Sequence, residues 1–276
     1  MANLYMRFPG GRAKTVTLSY DDGVVYDIRL MEIMDKYGLK GTFNINAGLF
    51  KKEESDPDRR MTQKQVLDLY TNSGHEVAIH GLGHPYLEQL PPNRATYEVI
   101  EDRRRLEQLF GCTVRGMAYP FGTSSDTVVE ILKNAGIVYS RTTVATESFG
   151  IPTDWLRLPA TCHHNNPKLM DLAERFLTDP RVGQRAPQMF YLWGHSYEFN
   201  DNDNWEIIEE FAEKVGGHEE IWYATNIEIF DYITAYKQLR FTVDMDLVEN
   251  PTATDLYFEW NGKNYMVKAG ETLKVD

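Results

Sequence analysis

Residues 14–46 read KTVTLSYDDGVVYDIRLMEIMDKYGLKGTFNIN, and the order of patterns in this stretch decides the fold class. Lys14–Tyr20 reads as a strand. Asp27–Tyr37 repeats its apolar residues at helical spacing and is closed by Gly38, a residue suited to a helix C-terminus. Gly41–Asn46 is strand-like again. The same alternation continues outward. Thr62–Thr71, Arg94–Phe110, Ser125–Asn134, Pro167–Leu177, Asp203–Val215 and Asn226–Leu239 read as helices. His75–Ile79, Arg115–Tyr119, Ile137–Ser140, Gln188–Trp193 and Ile221–Ala224 read as strands, with an irregular stretch before Pro167.

Strand then helix, repeated some seven times, implies βα units and a mainly parallel sheet. So many units favour an α/β barrel over an open sheet. In barrels the chemistry sits at the C-terminal ends of the strands, which directs attention to the residues just after Tyr20, Ile79, Tyr119 and Trp193. The pattern changes after Leu239. Arg240–Leu247, Asp255–Trp260 and Lys263–Lys268 alternate like strands, and Asn261-Gly262 is a type I′ hairpin signal. The expected organisation is a barrel domain over residues 1–239 and a small β appendage over 240–276.

The 276 residues carry a net charge of -12, with 29 basic against 41 acidic side chains. This argues against nucleic acid or an anionic membrane surface as the main partner. No run of apolar residues is long enough to span a bilayer. The first residues lack the apolar core of a signal peptide, so the expected location is cytoplasmic, or secreted if a leader was removed. The two cysteines, Cys112 and Cys162, make no disulfide framework and fit no zinc motif. Oligomeric state is not readable.

Four strand ends hold the candidate chemistry. Thr17–Gly23 (TLSYDDG) places Asp21 and Asp22 side by side. Adjacent residues leaving a strand point different ways, so one can bind a metal while the other moves protons; a plain Asp-Gly turn with a helix cap is the structural alternative. His80–Pro85 (HGLGHP) holds two histidines four apart, a spacing that lets both imidazoles reach one metal, or that leaves them as a solvated pair. Both motifs fall at the same expected barrel rim, which favours the metal reading. Ala118–Gly122 (AYPFG) reads by itself as a Pro-Gly turn. Leu192–His195 (LWGH) brings His195 to the rim as a candidate for acid-base work.

In this order, TLSYDDG, HGLGHP, AYPFG and LWGH resemble the motifs of the polysaccharide deacetylase family (carbohydrate esterase family 4, the NodB-homology domain). The resemblance covers about residues 14–200 and suits the strand-helix pattern to about 239. It implies a distorted (β/α)7-8 barrel and a metal-dependent hydrolase that removes acetyl groups from N-acetylated or O-acetylated sugars or glycans. It implies Asp21 as base, Asp22, His80 and His84 as ligands of one divalent metal, the backbone N–H of Phe121 as an oxyanion donor, and His195 as general acid. The metal expected is zinc, with cobalt, iron or manganese as alternatives for an Asp-His-His donor set. Tyr119, Pro120, His163, His164, Trp193 and Glu198 are candidate substrate contacts.

Two departures stand out. The family commonly has an arginine where this chain has Ala118. Arg115 would face the other side of its strand, leaving Arg141 or Arg157 to supply the charge. The Asp-Trp pair that orients the acid histidine has a weak counterpart in Asp154-Trp155, with Glu198 a rival partner. Two other readings keep the scaffold: hydrolysis of a cyclic amide or another small-molecule C–N bond, and a non-catalytic glycan-binding module.

Overall fold

The computed structural model describes residues 3–275. Its centre is a nine-stranded parallel sheet. Around the ring run Lys14–Asp21, Gly41–Ile45, Glu76–Ile79, Gly116–Ala118 and Tyr139–Ala145, each paired in parallel with the next. Gln188–Gly194 lies on the other side of Lys14–Asp21. The ring closes through residues 158–163. Leu158–Ala160 pairs with Tyr139–Ala145 on one side, and Cys162–His163 pairs with Gln188–Gly194 on the other. The Thr161 N–H between them donates to Tyr191 O at 2.9 Å.

The barrel is distorted, as expected. Ile221–Tyr223 pairs only with Lys14–Val16, while Leu18–Asp21 pairs with Gly41–Asn44. One strand therefore changes neighbour half-way along. The closing segment 158–163 lies in the stretch read from sequence as irregular. It is short and contains Pro159, so period alone does not mark it as a strand.

Helices Asp27–Lys36, Gln63–Tyr70, Pro92–Phe110, Asp126–Asn134, Leu169–Thr178, Glu206–Val215 and Asn226–Tyr236 match the sequence reading to within a few residues at each end. Thr62 caps its helix in a full capping box with Gln65, as does Thr225 with Glu228. A short helix, Ser196–Asp201, was not anticipated. No helix among the described residues is long and apolar enough to cross a membrane.

Strand alternation sets what faces the barrel interior. Along Lys14–Asp21, Val16, Leu18 and Tyr20 pack outward into the core shared with the helices. The other register, Thr15, Thr17, Ser19 and Asp21, is also buried, and it is polar. On the next strand Thr42 and Asn44 take that register, so hydrogen bonds line the barrel. Asn44 Nδ2 donates to Ser19 Oγ and to Asp21 Oδ1, both at 2.8 Å, and Asn226 Nδ2 donates to Tyr191 Oη at 2.7 Å.

Beyond residue 239 the chain builds two antiparallel three-stranded sheets. Leu4–Arg7, absent from the sequence reading, pairs with Leu256–Trp260, which forms a hairpin with Lys263–Val267. Asn261 and Gly262 have φ of 50° and 83°, the type I′ signs. The expected strand Arg240–Leu247 is broken. Arg240–Phe241 and Leu247–Glu249 pair with each other across a turn at Met245, and Thr272–Lys274 completes that sheet. Val248, Leu256, Phe258 and Val267 share a second core with Phe8, Ile229, Tyr232 and Ile233. Tyr232 ties the layers, donating from Oη to Arg7 O at 2.6 Å and accepting from Tyr257 N at 3.0 Å.

The barrel is tightly packed where Gly116 meets Tyr139. A Cβ at 116 would lie 2.1 Å from Tyr139 Oη, and this fully buried phenol is held by Glu76 Oε1 at 2.7 Å. Gly116→Ala should therefore cost about 1–3 kcal/mol. The change should appear as a lower urea midpoint with an unchanged slope.

Candidate active site

Asp21 ends its strand on the interior register and is 2% exposed. Asp22, the next residue, leaves the strand with φ of 86°. Aspartate tolerates this left-handed backbone better than most residues. The turn separates the two carboxylates: Asp21 stays inside the barrel, and Asp22 reaches the rim. His84 (φ 56°) and Phe121 (φ 59°) share the left-handed conformation, which is uncommon for such bulky residues. Three of the residues singled out from sequence thus sit on unusual backbone.

Asp21 is surrounded by cations and donors. Arg141 Nη2 pairs with Asp21 Oδ2. His80 Nε2 and His195 Nε2 each lie 3.8 Å from the same oxygen. Burial alone would raise this carboxyl, but Arg141, with His80 and His195, outweighs it and holds it down at about 2. Arg141 is itself 1% exposed. Its guanidinium lies 4.2 Å from the Trp193 ring centroid, which supports it through a cation–π contact.

Of the arginines weighed from sequence, Arg141, from the strand next to that of Ala118, is the one that pairs with Asp21. Arg157 instead pairs with Asp126 and Asp154, and Arg115 pairs with Asp231. The Ala118 position keeps a role through its backbone. His80 Nδ1 contacts Ala118 O at 2.8 Å, so Nδ1 carries the proton and Nε2 presents its lone pair. Such a partner on the far nitrogen fixes the tautomer a metal requires.

Asp22, His80 and His84 form a compact donor set. Their nearest ligand atoms all lie within 4.8 Å of one another, and His84 Nε2 is 3.9 Å from Asp22 Oδ1. Burial lowers the pKa of both imidazoles, to about 4 for His84, where His80 adds to the effect. Both rings are thus neutral near pH 7, as metal ligation demands. One carboxylate and two neutral imidazoles suit a borderline divalent cation such as zinc.

Several supports of this set escaped the sequence reading. Arg60 donates to Asp22 O at 2.9 Å and pairs with Asp22 Oδ1 at 3.2 Å. Asn46 Nδ2 donates to His80 O and Gly81 O, both at 2.6 Å. Asp102 accepts from Ala47 N at 2.7 Å and His80 N at 3.1 Å, and burial pushes its carboxyl up to about 8. Asp27 accepts from Ser196 Oγ at 2.5 Å and Tyr70 Oη at 2.7 Å, joining the Asp22 loop to the His195 loop. The polar Thr42, Asn44 and Asn46 in GTFNIN were the available signal, since alternate polar residues on a buried strand need partners.

His195 reaches the interior from the end of Gln188–Gly194. Its Nδ1 lies 3.5 Å from Glu198 Oε2. Burial lowers the His195 pKa, but Glu198 and Asp21 outweigh that and leave it raised. Asp154 takes no part here. It caps the turn at Leu156 N and pairs with Arg157, while Trp155 packs against Phe230. Glu198 is therefore the carboxylate beside the imidazole.

Residues 9–140 match the family model described as polysaccharide deacetylase. A chitooligosaccharide deacetylase of Sinorhizobium fredii (strain NBRC 101917 / NGR234) is 28% identical over 151 residues. The aligned part is 54% of this chain, which spans 63% of the length of that relative.

Over residues 9–140 this chain is similar to the polysaccharide deacetylases.

Solved structures agree on the fold. One from Mycobacterium smegmatis assigned to the polysaccharide deacetylases aligns with a TM-score of 0.60 at 16% identity, covering 84% of this chain and 94% of that one. The peptidoglycan deacetylase PdaC of Bacillus subtilis, as a mutant, aligns with a TM-score of 0.51 at 15% identity, covering 82% and 94%. Within this polysaccharide deacetylase fold, the other sequence candidates occupy varied places. His163 and His164 lie beside Glu198. Trp193 is 8% exposed and lies against Arg141. Tyr119 and Pro120 are buried, and Tyr119 Oη donates to Leu156 O at 2.7 Å, so the phenol is engaged by the protein itself. Phe121 is 46% exposed. Its ring stacks on Tyr86 with centroids 3.8 Å apart and meets His84 edge-on at 4.6 Å.

The buried Asp21–Arg141 pair has a measurable consequence. Arg141→Met should cost about 3–5 kcal/mol, because it strands a buried charge. The pH dependence follows from the depressed Asp21 pKa. In the native protein its contribution is full above the ordinary value of 3.8 and is lost as pH falls through the folded value. Urea unfolding with chelator present, from about pH 5 to about pH 2, should show this acid limb in the wild type and a flattened one in Arg141→Met.

Proposed function

We propose that the chain hydrolyses the acetyl group of N-acetylated sugars or glycans, O-acetylated ones included, with Asp22, His80 and His84 holding one divalent metal. The observation that carries this reading is the convergence on Asp21. One carboxylate oxygen, kept ionised by Arg141, lies 3.8 Å from both His80 Nε2 and His195 Nε2. A base, an acid and a metal donor set thereby meet around one small volume.

Bound there, a zinc or similar ion supplies Lewis acidity, acidifying water and polarising the acyl oxygen. The protein's own groups divide the remaining work. Asp21 accepts the proton of the attacking water, and its low pKa keeps it ready to do so at neutral pH. Phe121, held beside His84, contributes its backbone N–H to the developing oxyanion. His195, whose pKa is raised by Glu198 and Asp21, carries a proton for the leaving amine.

Acetate release from short N-acetylglucosamine oligomers, run against a panel of cyclic amides, tests the substrate class. Asp21→Asn should retain metal and lose turnover by about 10²–10⁴-fold. Stripping the metal should abolish activity and re-addition should restore it; full activity in metal-free protein would overturn the proposal. His195→Asn should impair amide substrates by about 10²-fold or more, yet affect p-nitrophenyl acetate little, because that leaving group departs without a proton.

A further inference from the structure

His163 and His164 come from the segment that closes the barrel, and Glu198 comes from the helix after His195. Their side chains converge on one point. His163 Nε2 is 3.1 Å and His164 Nε2 is 3.0 Å from Glu198 Oε2. His195 Nδ1 approaches the same oxygen at 3.5 Å. We propose that His163, His164 and Glu198 form a second divalent-cation site, separate from the Asp22, His80 and His84 set.

Geometry is the first argument. The ligand atoms of these three residues lie within 4.8 Å of one another. Bonds of about 2.0–2.2 Å to a tetrahedral zinc place neighbouring ligand atoms roughly 3.3–3.5 Å apart. Separations of 3.0 and 3.1 Å need only a few tenths of an ångström of relaxation.

Unfilled bonding capacity is the second. His164 is 1% exposed, and neither of its ring nitrogens makes a well-aligned hydrogen bond. Its Nε2 faces Glu198 without the alignment of a donor. Buried polar atoms left without well-aligned bonds are costly, and a cation between His164 and Glu198 would satisfy Nε2.

Charge is the third. Glu198 is three-quarters buried, with its side chain 24% exposed. Among the described residues its ion-pair partners are imidazoles, with no Lys or Arg. A carboxylate oxygen beside imidazole nitrogens is a mixed oxygen and nitrogen donor set, which selects zinc or cobalt over magnesium or calcium.

One contact works against tight binding. Asn165 N–H points at His163 Nδ1 at 3.1 Å, so the His163 proton rests on Nε2 while the site is empty. Ion binding moves that proton to Nδ1 or to solvent and gives up the contact. The second ion should therefore bind more weakly than the first and release protons as it enters.

Equilibrium dialysis of the metal-stripped full chain against micromolar zinc, with metal content read by mass spectrometry, tests this directly. The wild type should approach two ions per chain. His163→Gln and Glu198→Gln should each fall to one, as should His80→Ala/His84→Ala. Cobalt(II) absorption of the His80→Ala/His84→Ala protein should keep a tetrahedral d–d band that Glu198→Gln added to that background removes. A wild-type stoichiometry of one that disappears with His80→Ala/His84→Ala would overturn the second site while leaving the first. A stoichiometry of one that disappears with Glu198→Gln would support the second and count against the first. Two ions retained in both His163→Gln and Glu198→Gln, or none bound by the wild type, would also overturn it. Circular dichroism checks folding, and His163→Gln, which keeps a polar side chain at a position 23% exposed, serves if Glu198→Gln does not fold.

Discussion

A fully ionised carboxylate inside a barrel has to be compensated, and the pairing of Asp21 with Arg141 is the constraint around which this structure is arranged. Desolvating either charge alone would cost several kcal/mol. The protein buries both inside the barrel, lays Arg141 on the face of Trp193, and gives the other Asp21 oxygen to Asn44. Four strands are thereby committed to one charge pair. The tilt of the barrel makes this possible, since residues far apart in sequence meet at the same interior height.

The same pair sets the electrostatics of the rim. With Asp21 neutralised by Arg141, the second carboxylate, Asp22, can stand nearby without forcing its neighbour to take a proton. His80 and His84 stay neutral through burial, with His80 held by its backbone partner Ala118 O. Hence the four groups avoid the like-charge conflict that two adjacent aspartates would otherwise create. Asp102 and Asn46 then fix the backbone around His80 from below.

The closing segment 158–163 links architecture to chemistry. By pairing first with one neighbour and then with the other, it completes the ring and delivers His163 and His164 to the Glu198 side of the site. Gly194 is the companion feature. A Cβ there would lie 2.0 Å from His164 Nδ1, so only glycine lets that buried ring sit against the strand that leads to His195.

Local pattern determined a good deal. The alternation of strand and helix, the Asp21-Asp22 pair, and His80 and His84 at helical spacing are all readable from residue order, because period and spacing are local properties. The Asn261-Gly262 hairpin is legible for the same reason. Tertiary structure decided what depends on registers between strands far apart in sequence. That Arg141 rather than Arg157 serves Asp21, that Glu198 rather than Asp154 stands beside His195, and that Leu4–Arg7 joins the C-terminal hairpin cannot be read from spacing. The Arg141 choice depends on which interior positions the shear of a closed barrel brings level, and the other two depend on how segments outside the barrel strands pack against it.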